Sequence, residues 1–203
     1  MVTNVTMVDV LLPETRRRTF AYNCFLILGG AFLIALCAHI KIPLFPVPVT
    51  GQTFAILMIA ALFGARRGCL SVCAYLAAGA AGLPVFAASP SGIPAFAGPT
   101  GGYLVGFVFA AYLVGTLAER GWDRKAGTTV LAMVLGNVVI YAFGLFWLWC
   151  LFAAGRVSLG GKSLLAAGVY PFVIGDVLKI LLAAGILPGG WKLLEGRDTA
   201  KKQ

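Results

Sequence analysis

Asp176 and Lys179 stand three positions apart in the otherwise apolar run Pro171-Phe172-Val173-Ile174-Gly175-Asp176-Val177-Leu178-Lys179. On a helix that spacing puts both side chains on one face. Each charge near the middle of a membrane helix costs about 2.5–3.5 kcal/mol on insertion scales, and such groups mark ligand or ion sites by default. The bland alternative is an ion pair that locks the bundle, although buried pairs are seldom a net gain in stability. Other polar or aromatic groups join them. Asn137 precedes Tyr141 by one helical turn, and its amide offers two donors and an acceptor. A lone Asn also serves as a bridge between helices. Gln52 and Thr53 close one apolar loop, where they either cap the next helix or point into a cavity. Tyr103 opens a later helix, and Phe86 and Phe96 lie in a second apolar loop. One anion, one cation, an amide pair and several aromatics suit a small ligand with an apolar body, hydrogen-bond donors at one end and a negative group at the other. Small-molecule pockets are apolar with few polar anchors.

Such residues need elements to hold them. The chain has 203 residues, 60% of them hydrophobic and 11% charged. A soluble domain carries about 25% charged residues, so the solvent here is a bilayer. A spanning helix needs roughly 20 apolar residues. The pattern predicts an all-α integral membrane protein, a bundle of six transmembrane helices. The expected spans are Phe20–Ile40, Thr53–Phe63, Cys69–Ala81, Gly101–Ala118, Thr128–Phe152, and one from Ala166 or Pro171 to Leu187. Residues 1–19 read as a cytoplasmic N-terminal segment, 20–190 as the membrane domain and 191–203 as a basic cytoplasmic tail. The run after Arg18 exceeds the apolar core of a cleavable signal peptide. Gly102-x-x-x-Gly106 reads as a helix-packing motif.

The connections are informative. Lys41 to Gln52 holds three prolines, and Gly82 to Pro99 is rich in Gly, Pro and Ser. Irregular backbone at membrane depth is tolerated only when protein covers it or a cavity faces it, so both loops are expected to fold over the bundle. Cations follow one side: Arg16, Arg17, Arg18, Arg66, Arg67, Arg120, Arg124, Lys125, Lys192, Arg197, Lys201 and Lys202. The other side has only Lys41, Arg156 and Lys162. By the positive-inside rule both termini are cytoplasmic. The two loops and the start of the last helix, with Asp176 and Lys179, then face outward together.

Several classes are excluded. The net charge of +9 is spread over short loops, as topology signals are, rather than forming a nucleic-acid face. Cys24, Cys37, Cys69, Cys73 and Cys150 lie in apolar stretches with a single histidine, His39, in the chain, so they read as small buried residues and no metal is expected. The sequence lacks H-E-x-x-H, G-x-S-x-G and P-loop motifs, which argues against an enzyme and against ATP binding by this chain.

The run Pro46-Val47-Pro48-Val49-Thr50-Gly51-Gln52-Thr53 resembles the signature loop of the BioY family, the biotin-specific S components of energy-coupling factor (ECF) transporters. Gly64-Ala65-Arg66-Arg67-Gly68, Ala80-Ala81-Gly82-Leu83-Pro84-Val85-Phe86, Gly98-Pro99-Thr100-Gly101-Gly102-Tyr103, Gly136-Asn137 and Pro171-Phe172-x-x-Gly175-Asp176-x-x-Lys179 follow in the same order. The resemblance covers about residues 20 to 190; His39 and Gly51 depart from the usual pattern. It implies a six-helix S component in the bacterial cytoplasmic membrane that captures biotin from the outer face. Asp176, Lys179, Asn137, Tyr141, Gln52, Thr53, Tyr103, Phe86 and Phe96 become substrate contacts. Asp176 and Asn137 would accept from the ureido N–H groups, and Lys179 would meet the carboxylate or the ureido oxygen. Ala31-x-x-x-Ala35 would meet a transmembrane T subunit. ATP would be hydrolysed by two partner subunits, with no cofactor in this chain. The alternatives are a stand-alone or gradient-driven secondary transporter of biotin or another small vitamin-like carboxylate, and ordinary bundle packing for Ala31 and Ala35.

Overall fold

The computed structural model describes residues 6–11, 20–87 and 91–200, with side chains to residue 195. The expected cations Arg16, Arg17, Arg18, Lys201 and Lys202 and the side chain of Arg197 lie outside the described residues. The architecture is all-α. A short α1 (Met7–Val10) precedes α2 (Phe20–His39), and a two-stranded hairpin, β1 (Lys41–Ile42) and β2 (Val49–Thr50), leads into α3 (Gln52–Ala80). After α4 (Pro94–Ala97) come α5 (Gly101–Glu119), a 3₁₀ turn (Trp122–Arg124), α6 (Ala126–Ala153), α7 (Leu164–Gly168) and α8 (Tyr170–Ala200).

Five of these helices, α2, α3, α5, α6 and α8, are long and apolar enough to cross a membrane. The expected second and third spans are both in α3, which doubles back on itself. At Gly64 the backbone takes φ +83 and ψ 176, open to glycine but strained for any residue with a Cβ. Gln52 Nε2 then donates to Tyr75 Oη at 2.6 Å. A continuous helix would hold those residues about 34 Å apart at 1.5 Å per residue, so α3 is two antiparallel arms. The expected five-residue turn shrinks to one residue. Ala65 already starts the second arm, and its amide N donates to Glu119 Oε1 at 2.9 Å, which caps the orphaned helix start.

Burial explains the packing order. The inward residues of α6, among them Thr129, Met133, Gly136, Asn137, Ile140, Gly144 and Leu148, recur every three or four positions. That is one helical stripe against the core. The glycines of the Gly102-x-x-x-Gly106 motif admit α6 closely: a Cβ on Gly102 would lie 2.3 Å from Trp147 Cβ, and one on Gly106 3.1 Å from Ile140 Cα. The motif is a packing surface, as expected. Helix α2 sits at the periphery, burying Gly30, Ile34 and Ala38 and leaving Phe25, Leu28, Phe32 and Leu36 exposed.

The last helix differs from expectation. It continues past Leu187 through Pro188 into the stretch read as a tail. Packing holds it there: Trp191 is buried and donates its indole N–H to Asp123 Oδ2 at 2.6 Å, and the Arg124 guanidinium lies 4.5 Å from the Trp191 ring centre. Burial pushes the Asp123 carboxyl above its ordinary range, against the opposing pull of the Trp191 hydrogen bond. At the same end Asp9 on α1 pairs with Arg67 at 2.7 Å. Burial raises Asp9, but hydrogen bonds from Thr6 and Arg67 and the Arg67 charge outweigh it and leave the carboxyl low.

Candidate functional site

The site lies at the end of the bundle where α3, α5 and α8 begin. Lys179 Nζ donates to Asp176 Oδ1 at 3.1 Å, to the Thr50 carbonyl at 2.9 Å and to Thr53 Oγ1 at 2.9 Å. An ammonium has three N–H donors, so all of them are placed. Tyr141 Oη donates to the other carboxylate oxygen, Asp176 Oδ2. Asp176 is 5% exposed and sits behind its two partners. The pair therefore joins three elements: α8, the strand β2 with the first turn of α3, and α6.

In front of Lys179 is a cavity of about 570 Å³, counting its open mouth. Its polar wall comes from Thr50, Gln52, Thr53, Thr100, Tyr141 and Lys179, and Lys179 is the one charged group among the lining residues described. Val47, Pro48, Phe86, Tyr103, Leu104, Phe107, Ile140 and Phe172 make the rest apolar. Both loops thus reach the cavity, as their composition predicted: Val47 and Pro48 come from the hairpin, Phe86 and Ala87 from the loop after α3.

The walls are held in place by specific contacts. The Phe86 ring lies on Gly79, where an added Cβ would approach its Cζ to 2.1 Å. It meets Tyr75 and Phe96 edge-on, with ring centres 5.5 and 5.7 Å away. Tyr103 Oη donates to the Gly168 carbonyl at 2.9 Å, which pins α7 to α5. Gln52 is fixed by Tyr75, whose hydroxyl donates in turn to the Val85 carbonyl at 3.2 Å.

Six of the expected substrate contacts, Gln52, Thr53, Phe86, Tyr103, Tyr141 and Lys179, line this cavity together. Three do not. Asp176 stands behind Lys179 and Tyr141, because both of its oxygens are taken by them. Phe96 supports Phe86 from outside. Asn137 lines a small neighbouring hollow with Thr53, Met133 and Lys179, and its buried Oδ1 has no hydrogen-bond partner among the described residues. Sequence reasoning missed Leu104, Phe107 and Ile140 as wall residues, because apolar side chains in apolar helices offer no contrast, and it missed Thr100, whose hydroxyl at a helix start reads as an ordinary cap. Ala31 and Ala35 are half-buried on α2 and pack against the core. A second hollow opens at the opposite end, among Arg66, Arg67, Asp9 and Glu119, with two charges of each sign.

Comparison with known proteins gives a consistent answer. The family model described as the BioY family matches residues 9–196. A protein named biotin transporter BioY from Thermotoga maritima is 39% identical over 165 residues, covering 78% of this chain and 90% of that protein. Its namesake from Rhizobium etli is 35% identical over 166 residues, covering 77% and 86%. A crystal structure of the S-component for biotin from an ECF-type ABC transporter superposes with a TM-score of 0.65 at 26% identity, covering 89% of this chain and 95% of that one.

Proposed function

The chain belongs to the BioY family, and on that premise we propose that it takes up biotin through the cavity in front of Lys179. It is a multi-pass membrane transporter, not an enzyme. The observation that carries the site assignment is the one cation, Lys179, in a cavity wall that is otherwise neutral among the described residues. Biotin has an apolar ring system, a ureido group with two N–H donors and an oxygen, and a carboxylate. Lys179 supplies the positive charge for the carboxylate or the ureido oxygen by exchanging one of its present acceptors, Thr50 or Thr53. Tyr141, Gln52, Thr53 and Thr100 offer oxygens and an amide to the ureido group, and Phe86, Tyr103 and Phe172 cover the rings. Asp176 acts through Lys179 and Tyr141, holding both at the wall. The orphaned Asn137 Oδ1 is an acceptor for a donor that reaches past Lys179.

The distribution of loop cations supports a cavity that opens outward, in a bacterial cytoplasmic membrane. The proposed cycle uses a T subunit and two ATP-binding subunits, with α2 as the contact: it exposes Phe25, Leu28, Phe32 and Leu36, beside the half-buried Ala31 and Ala35. The purified chain in lipid nanodiscs is expected to bind radiolabelled biotin tightly at one per chain. Absence of binding by a folded chain in lipid would overturn the reading. Co-purification with a T subunit and ATPases supports the ECF cycle. Uptake that needs only a proton or sodium gradient would replace it with a secondary transporter.

A further inference from the structure

We propose that Lys41 is a latch that ties the two outer loops together across the cavity mouth and sets how fast the ligand leaves. The inference rests on the reading that this cavity takes biotin. Lys41 Nζ donates to the Ala87 carbonyl at 2.6 Å, joining positions 46 residues apart. Lys41 belongs to the hairpin that supplies Val47, Pro48 and Thr50 to the cavity; Ala87 follows Phe86 in the loop that supplies the facing wall. Lys41 itself does not line the cavity among the residues described, so it acts on the ligand only through the loops.

The register makes the hairpin a clamp with two fastenings. Lys41 pairs across the ladder with Thr50, and the Thr50 carbonyl receives the Lys179 ammonium at 2.9 Å. One end of that rung is therefore fixed to α8, and the other to the loop after α3. A two-residue ladder has little stability of its own, so apart from the buried Val47 and the Gly51 amide on the Ile40 carbonyl the hairpin is held by these side-chain bonds. A charged donor on a carbonyl is about twice as strong as a neutral one, which suits a bond that joins two loops. The second loop keeps its own anchors, Tyr75 on Val85 and Phe86 on Gly79, so losing the latch frees the mouth without unseating the wall.

The test measures association and dissociation of radiolabelled biotin with the full chain in nanodiscs. Lys41→Met keeps the length and removes the donor. Its dissociation rate is expected to rise about tenfold, the loss of one charge-assisted bond. Its association rate is expected to rise as well, so the equilibrium affinity falls less than the dissociation rate gains. A lost ligand contact would change dissociation alone. Lys41→Gln, a weaker donor, is expected to fall between Met and wild type, and Lys41→Arg to stay near wild type. A dissociation rate for Lys41→Met within twofold of wild type, or unchanged association, overturns the latch. If Lys41→Met does not fold, Lys41→Gln decides: a wild-type dissociation rate there overturns it. Failure of wild type to bind biotin would instead overturn the reading of the cavity.

Discussion

Replacing the two buried charges singly and together separates their structural work from their ligand work. Asp176→Asn keeps the shape of the side chain and removes the counterion of Lys179. Breaking a buried pair by removing one partner destabilises by about 3–5 kcal/mol. The Lys179 side chain is 18% exposed and retains Thr50 and Thr53 as acceptors. We therefore expect a smaller loss, about 2–3 kcal/mol, between that buried limit and the exposed-pair value of about 0–1 kcal/mol. Lys179→Met leaves Asp176 with only the Tyr141 hydroxyl and is expected to lose a similar amount. The double variant Asp176→Asn/Lys179→Met buries no unpaired charge, so its stability is expected to exceed that of either single variant, short of wild type by about 1–3 kcal/mol for the amide left without a full set of partners. Biotin binding is expected to behave differently. Hydrogen bonds to charged groups contribute about 1.5–3 kcal/mol, roughly 10- to 150-fold, and the double variant is expected to lose at least that factor even where its fold is retained. Thermal unfolding in nanodiscs reads the first quantity and biotin titration of the same samples reads the second. A double variant that binds like wild type would refute the assignment of Lys179 to the ligand. A double variant less stable than either single one would refute the coupling of the charges.

Other expectations follow from single contacts. Gly79→Ala drives a methyl into the Phe86 ring; titration should show at least tenfold weaker biotin binding, and unchanged affinity would remove Phe86 from the wall. Gly64→Ala forces φ +83 on a residue with a Cβ. Such strain amounts to about 1–3 kcal/mol, and unfolding should show it with the ligand site intact. The two acids at the other end respond to pH with opposite signs. Asp9 lies below the ordinary aspartate value of 3.8, so its stabilisation is present above about that pH and is lost as pH falls through the lowered folded value. Asp123 lies above 3.8, so its folded form favours the proton; it opposes folding at neutral pH, and the opposition fades as pH falls through the raised value. Asp123→Asn still accepts from Trp191 and is expected to match or exceed wild-type stability at neutral pH; a loss of more than about 1 kcal/mol there would show the charge itself is needed.

The site was legible because its polar groups contrast with apolar surroundings. Asp176 and Lys179 stood out by charge alone, and the prolines of 41–52 marked a loop that had to be covered. Spacing said that the pair shares a face; it could not say that Lys179 faces the cavity while Asp176 stands behind it, since that depends on Tyr141 and Thr53 from other helices. Thr100, Ile140 and Leu104 became wall residues through packing that no local pattern encodes. The turn at Gly64 was placed by its charges, but its length was not, because Glu119, 54 residues away, caps the second arm. The last span was expected to end at Leu187, yet Trp191 on Asp123 carries the helix onward.

The most direct test is a high-resolution map of the chain with biotin bound in nanodiscs. The predicted result is ligand density in the cavity between the hairpin, Phe86 and Tyr103, with one polar end within hydrogen-bond distance of Lys179 Nζ. Biotin density elsewhere, for instance in the hollow beside Arg66 and Asn23, with the Lys179 cavity empty, would contradict it.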